Sequence, residues 1–494
     1  MPAVRVGGRA PCATMAPVRD RRSPNQPPAP SAAPRLLAVS HPAVTNVNQG
    51  VYRELARRGW EVTIVVPRRW RHDYSSAPVT PTALRGLEGA LRPTPVAFAG
   101  RQQRHLYLAR CRALAARARA DVAFVEAEPY ALAAAQWRRA LAGLGIPWGV
   151  QCYENIDRPL PAPVRRLRAT VLRDAAFVAA RSRSAARLAA VWGARGEIGL
   201  APPAVPAWES ARAADEHANG HTSDPTGKDD GACRDATRDG GARDVGAPAL
   251  SDSACLGGPR EAGAGERGDR RASTRPFTIG YAGRLVQSKG LLDLLAAVRR
   301  LPAPVELLLI GNGELRPQLE GQPIPGGRVR IIDHLTHARM AEGYAQLDVL
   351  ALPSRTTPTW KEQLGRAIVE ALWCGVPVVG SDSGEIPWLI ELTGGGLTFP
   401  EGDAAALAER LGTLRDDPAL RLRFARAGRE TAERIFSVSA ATDALERLLV
   451  GAAPSCATPA QQRTAMGIRF DAATAATTIT ACPATSAAVH PDTD

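Results

Sequence analysis

The sequence predicts an α/β protein made of two doubly wound, Rossmann-like domains facing each other across a cleft. Three observations carry this reading. Short apolar or β-branched runs alternate with helically spaced segments in two separate blocks. A stretch between the blocks lacks the residues of a core. Each block is long enough to bury a core of its own.

Residues 1–34 are rich in Arg and Pro and lack the continuous apolar core, about 7–15 residues, of a secretory signal. They are expected to be a disordered leader. Residues 35–208 form the first block. Arg35–Ser40 is a short apolar run, Val51–Arg58 has helical spacing and stops at Gly59, and Glu61–Val66 is a β-branched run ended by Pro67. Strand, crossover helix and strand imply parallel pairing. Further strands are expected at Val122–Val125, Trp148–Cys152 and Ala176–Ala179. From Glu209 to Arg275 there is no Phe, Trp, Tyr, Ile or Met. Such a stretch cannot bury enough apolar area to offset ordering entropy of roughly 1–2 kcal/mol per residue. It is expected to be a disordered insertion or linker.

The second block, 276–451, repeats the alternation. Strands are expected at Phe277–Ala282, Glu306–Ile310, Val329–Ile332, Val349–Leu352 and Val376–Gly380, with helices at Gly290–Leu301 and Gly365–Cys374. An Ala/Thr/Pro tail, 452–494, is expected to be disordered. Ligands of doubly wound domains bind beyond the carboxyl ends of the strands, where the strand order reverses.

Composition narrows the function. The 494 residues contain no apolar run of about 18 or more, so no membrane-spanning helix is expected. Eight Cys occur without a CxxC, which disfavours a zinc module or a disulfide scaffold and fits a reducing, cytoplasmic setting. Cys152 and Cys374 end apolar segments and read as plain buried thiols. The net charge of +13 is uneven: residues 35–208 carry 26 basic and 11 acidic residues, residues 276–451 carry 19 and 21. A basic first domain points to an anionic acceptor, an anionic membrane face contacted peripherally, or solvated arginines in an Arg-biased chain. No nucleic-acid-binding motif accompanies it, so nucleic acid is not an expected partner. Of the 62 cationic residues only Lys228, Lys289 and Lys361 are lysines, and the last two fall within motifs.

The first motif follows the strand Phe277–Ala282. Gly283-Arg284-Leu285-Val286-Gln287-Ser288-Lys289-Gly290 opens a helix. Glycines allow close backbone approach, and two cations near a helix start suit a diphosphate. The second runs from Pro353-Ser354 through Trp360-Lys361-Glu362-Gln363-Leu364-Gly365 to Glu370-Ala371, with Glu362 and Glu370 eight apart. The turn Ser381-Asp382-Ser383-Gly384 follows the next strand. No Asp-x-Asp occurs in either block, so fixed cations are better candidates than a metal for stabilising a departing diphosphate.

Together these residues resemble glycosyltransferase family 4, the retaining GT-B enzymes that use nucleotide-diphosphate sugars. The likeness is dense over 276–390 and weaker over 35–208. It implies a GT-B fold and transfer of a sugar from a UDP- or GDP-sugar to an envelope glycan, lipid-linked or small-molecule acceptor, with no cofactor and no obligatory metal. It implies that Arg284 and Lys289 hold the donor diphosphate and that Glu362 contacts the donor sugar. Gly283 and the backbone N–H groups around Leu364 and Gly365 would sit against the phosphates, Glu370 would bind the ribose, and Ile332–His334 would lie beside the base.

The first domain departs from the family. The usual Gly-Gly loop is replaced by His41-Pro42-Ala43-Val44-Thr45-Asn46-Val47-Asn48-Gln49-Gly50. Where many members place a His after a mid-domain strand, this chain reads Tyr153-Glu154-Asn155. His41 and Glu154 are the acceptor-side candidates, with Asn155 as the alternative to Glu154. Two rival readings share the scaffold: a nucleotide-sugar epimerase or hydrolase, and a non-catalytic nucleotide-sugar-binding protein.

Overall fold

The structure, a computed structural model, describes residues 33–71, 78–205, 275–333, 335–453, 467–471 and 476–480. The expected leader up to residue 32, insertion residues 206–274 and His334 lie outside these residues. The chain divides into two compact units, Met1–Pro203 with Ser439–Asp494, and Ala204–Val438.

In the first unit the strands are β1 (Arg35–Ser40), β2 (Glu61–Pro67), β3 (Leu91–Thr94), the hairpin β4 (Val96–Ala97) and β5 (Leu106–Tyr107), β6 (Val122–Glu126), β7 (Trp148–Cys152), β8 (Phe177–Ala180) and β9 (Glu197–Leu200). The main sheet runs β3-β2-β1-β6-β7-β8-β9, and these strands are parallel. Continuous burial along β7 and β8 is what a sheet covered on both faces requires. The helix Gly50–Arg57 turns Tyr52 and Leu55 inward and stops before Gly59, whose φ of +92° ends it cheaply. The strand order reverses between β1 and β6.

Two expectations are corrected here. The second domain was expected to run to 451, but the helix Val438–Ala452 belongs to the first unit from Ser439 onward. Its Ala444, Leu445, Leu448 and Leu449 share a core with Leu36, Ile64 and Phe124. Arg58 ties it down, reaching Asp443 at 2.5 Å and Glu446 at 2.8 Å, and the Trp60 indole donates to Glu446 at 2.7 Å. An apolar helix face in a sequence does not say which sheet it will cover. The tail after 452 also contains two strands, β17 (Gly467–Asp471) and β18 (Ala476–Thr480), paired antiparallel with β17 against the β9 edge. An open sheet edge supplies backbone partners that composition alone does not reveal.

In the second unit the strands are β10 (Phe277–Ala282), β11 (Val305–Ile310), β12 (Pro323–Ile324), β13 (Gly327–Ile332), β14 (Val349–Leu352), β15 (Val378–Ser381) and β16 (Gly396–Phe399). They lie in the order β12-β13-β11-β10-β14-β15-β16. All neighbours are parallel except β12 with β13. From β13 to β16 this is the dinucleotide-fold order, with its reversal between β10 and β14. Every residue of β10 and β11 is buried. The strand expected from Val376 starts two residues later because Pro377 has no N–H to give the ladder. β3, β9 and β16 were not anticipated; they are short and partly exposed, so their apolar signal is weak.

Candidate functional site

In the second unit the strand-order reversal brings together the loops that follow β10 and β14. The β10 loop begins at Gly283, whose φ is +147° and whose added Cβ would lie 2.8 Å from the Tyr281 hydroxyl. That hydroxyl donates to the Arg284 carbonyl at 2.8 Å and props the loop from below. Gly283 and Arg284 are exposed, and Arg284 forms no ion pair among the described residues. The loop closes at Gly290, with φ +66°; a Cβ there would lie 1.9 Å from the Pro353 carbonyl oxygen. Only glycine lets the β10 and β14 loops approach this closely. The Arg355 N–H donates to the Ser288 carbonyl at 2.8 Å, and the Arg355 guanidinium grips Asp293 through two bonds of 2.6 and 2.7 Å.

These contacts seat Lys289 against Glu362. Lys289 Nζ lies 2.6 Å from Glu362 Oε2 and 4.4 Å from the Trp360 ring centroid. The same carboxylate oxygen accepts from Ser354 Oγ at 2.7 Å. Both charged side chains are largely shielded, with 14% and 10% exposure, so their attraction is less screened than at a surface. Gly384 packs on the Glu362 backbone, where a Cβ would meet the carbonyl oxygen at 2.0 Å.

Leu364 is buried, and Gly365, at φ +69°, caps the helix Arg366–Trp373. On that helix Glu370 accepts from the Tyr344 hydroxyl at 2.8 Å and from Arg366 Nε at 2.8 Å. A carboxylate has about four acceptor positions, so two such bonds fix its orientation while leaving acceptor capacity. The structure thus places Lys289 and Glu362 in contact, with Gly283 and Arg284 on the same loop as Lys289 and Gly365 leading to Glu370. Among the described residues no group of three or more His, Cys, Asp or Glu is placed to hold a metal ion, and no helix is long and apolar enough to cross a membrane.

In the first unit the equivalent reversal is filled by the protein itself. Glu126, the last residue of β6, accepts from Ser40 Oγ at 2.5 Å and from the Tyr52 hydroxyl at 2.8 Å, and pairs with Arg181 at 2.9 Å. Arg181 also donates to Gln151 at 2.6 Å and to the Ala201 carbonyl at 2.8 Å. Burial and the Glu126 charge hold the Tyr52 hydroxyl well above its usual pKa. This network was not anticipated; its signal was a polar residue at or next to the end of an apolar strand, as at Ser40, Glu126, Gln151 and Arg181.

His41 packs on Trp70 and His105, with ring centroids 5.0 and 5.3 Å away. Burial lowers the pKa of His105. Glu154 is buried, accepting from the Tyr130 hydroxyl at 3.1 Å and from Arg158 at 3.2 Å. Its neighbour Asn155 is also buried. Beside them, Glu128 accepts from the Tyr153 N–H at 2.8 Å, while burial, reinforced by the Glu154 charge, pushes its carboxyl up to about 8. The 101–105 loop links the two acceptor-side candidates: it supplies His105 to the ring cluster and Arg104 to the cavity wall that includes Glu154. Burial holds the Cys152 thiol above its ordinary pKa and pushes that of Cys374 up to about 12, which keeps both un-ionised.

Comparison with known proteins places the chain's two blocks in glycosyltransferase families. The family model "Glycosyl transferases group 1" matches residues 276–417, and "Glycosyl transferase 4-like domain" matches residues 43–203. The lipopolysaccharide core biosynthesis glycosyltransferase LpsE of Rhizobium meliloti is 36% identical over 170 residues, 34% of this chain and 48% of LpsE. The chain spans about half the length of the curated relatives it matches. Sucrose-phosphate synthase from Thermosynechococcus elongatus superposes with a TM-score of 0.54 at 16% identity, covering 84% of this chain and 98% of that one. HepE of Anabaena, solved in complex with UDP-glucose, gives 0.51 at 16% identity over 84% and 98%. At that identity the structural likeness is one of fold.

Proposed function

The chain belongs to the family 4 glycosyltransferases and has their GT-B fold; from that premise we propose that it transfers a sugar, with retention and without an obligatory metal, from a UDP- or GDP-sugar to an envelope glycan or lipid-linked acceptor. The observation that carries this is the Lys289–Glu362 contact at the strand-order reversal, on the loop that also exposes Arg284. The lipopolysaccharide core assignment of the relative LpsE supports the acceptor class.

In this reading the donor diphosphate lies over the 283–290 loop. Glycine at 283 leaves the backbone bare, and Arg284 and Lys289 face the phosphates. Bond cleavage at the anomeric carbon leaves negative charge on the departing nucleoside diphosphate. Fixed cations stabilise that charge without reorganising, and the shielded setting of Lys289 strengthens the effect. Glu362, oriented by Lys289 and Ser354, receives hydroxyls of the donor sugar. Backbone N–H groups around Leu364 and Gly365 cap the phosphates at the helix start. Glu370, held by Tyr344 and Arg366, receives the ribose. Glu154 and His41 serve the acceptor in the first unit.

The test is release of nucleoside diphosphate across a panel of nucleotide sugars, with and without EDTA. Release from one donor, unchanged by EDTA and accompanied by a glycosylated product with retained anomeric configuration, is the expected result. An epimerised donor, free sugar as the sole product, or loss of release in EDTA would contradict the proposal.

A further inference from the structure

The first unit contains a cavity of about 300 Å³ away from the Glu126 network. Its wall includes Arg104, Tyr130, Glu154, Arg158, Arg168 and Trp192. Three cations thus face one carboxylate, and each cation is held differently. Arg158 pairs with Glu154 at 3.2 Å, yet its side chain stays 43% exposed. The Arg168 guanidinium lies over the Trp192 ring, 3.8 Å from its centroid, with a longer 3.4 Å contact to Asp157. Asp157 in turn accepts from the Trp192 indole at 2.8 Å, which fixes the ring beneath the arginine. Arg104 is exposed and forms no ion pair among the described residues. Counting Asp157 behind Arg168, the three arginines still outnumber the two carboxylates. Glu128 adds little negative charge near neutral pH because its carboxyl is pushed up to about 8.

Guanidinium groups are planar forks suited to paired oxygens, and arginine stacked on an aromatic ring is already oriented. A volume of this size lies at the small end of ligand sites and fits a single sugar. Glu154 and Tyr130 add groups that bind hydroxyls. We propose that this cavity binds an acidic saccharide, taking its phosphate or carboxylate on Arg104, Arg158 and Arg168 and its hydroxyls on Glu154 and Tyr130. The site deepens the proposed transfer, since it rests on the first unit receiving the acceptor, and it defines that acceptor as anionic.

The experiment is calorimetric titration of the full chain with glucose 1-phosphate, glucuronate and glucose, in saturating UDP so that the nucleotide loop is occupied. Binding of glucose 1-phosphate alone would identify a phosphate ligand, and binding of glucuronate a carboxylate ligand. Glucose should bind at least tenfold more weakly than either. Arg104→Gln and Arg158→Gln should each weaken the acidic sugar at least tenfold while leaving UDP affinity unchanged, which also shows that the variants are folded. No binding of either acid, or binding undiminished in both variants, would overturn the site. Turnover of nucleotide sugars is read separately: UDP binding without acidic-sugar binding removes this inference and leaves the donor reading standing. Acidic-sugar binding without donor turnover supports the cavity and removes the transfer reading.

Discussion

The two units share a strand order but treat its reversal in opposite ways. In the second unit glycines at 283, 290 and 384 bring bare backbone together, and the exposed Arg284, with no ion pair among the described residues, is on the same loop as Lys289 of the shielded Lys289–Glu362 pair. In the first unit Ser40, Tyr52, Glu126, Gln151 and Arg181 fill the same topological position with hydrogen bonds to one another. One fold therefore yields an exposed glycine loop beside a shielded ion pair in one unit and a closed polar clasp in the other. What decides between them is whether glycines or hydrogen-bonding side chains follow the strands. The first unit's concave, basic surface lies elsewhere, at the Arg104, Arg158 and Arg168 cavity.

This contrast can be broken most forcefully at the clasp. Glu126→Ala leaves Arg181, only 14% exposed, without its carboxylate, and should destabilise the protein by about 3–5 kcal/mol in urea denaturation. An unchanged midpoint would mean the network carries no structural burden. Lys289→Ala should leave the fold recognisable by circular dichroism but cut donor turnover by roughly 100- to 1000-fold, the scale for losing one group that stabilises transition-state charge. Turnover near wild type would show that Lys289 is only a structural partner of Glu362.

Glu370→Ala should weaken UDP binding by about 1–3 kcal/mol, whereas Tyr344→Phe, which removes one bond that orients Glu370, should cost no more than about 1 kcal/mol. Equal UDP affinity in wild type and Glu370→Ala would remove the ribose assignment. A further prediction concerns the proton on Glu128. Its folded pKa of about 8 lies above the ordinary 4.5, so the folded state holds a proton that the unfolded chain releases between those values. Stability should therefore fall as pH rises across that window, and Glu128→Gln should flatten the slope. A slope identical in the variant would contradict the buried, protonated carboxyl.

Much of the second unit was legible in the sequence. Its strands β10, β11, β14 and β15 are wholly buried and read as apolar runs, and its candidate site residues sit in two local motifs. The contact between Lys289 and Glu362 was not legible, because the residues are 73 positions apart and meet through topology. The first unit was harder to read. Its polar clasp draws single residues from the ends of four strands and a helix, with no local spacing to mark it. The position of the helix Val438–Ala452 was missed for a related reason: its apolar face fits either sheet, and Arg58 with Trp60, nearly 400 residues earlier, fixes the choice.

The central claim is that the 283–290 loop of the second unit binds a nucleoside diphosphate through fixed cations. Calorimetric titration of UDP and of GDP into the wild type and into Arg284→Ala, each with EDTA, tests it most directly. Arg284 forms no ion pair among the described residues, so its removal leaves no orphaned partner charge. The account predicts EDTA-insensitive binding of one of the two nucleotides to the wild type, weakened at least tenfold in the variant. No binding of either nucleotide, or the same affinity in both proteins, would contradict it.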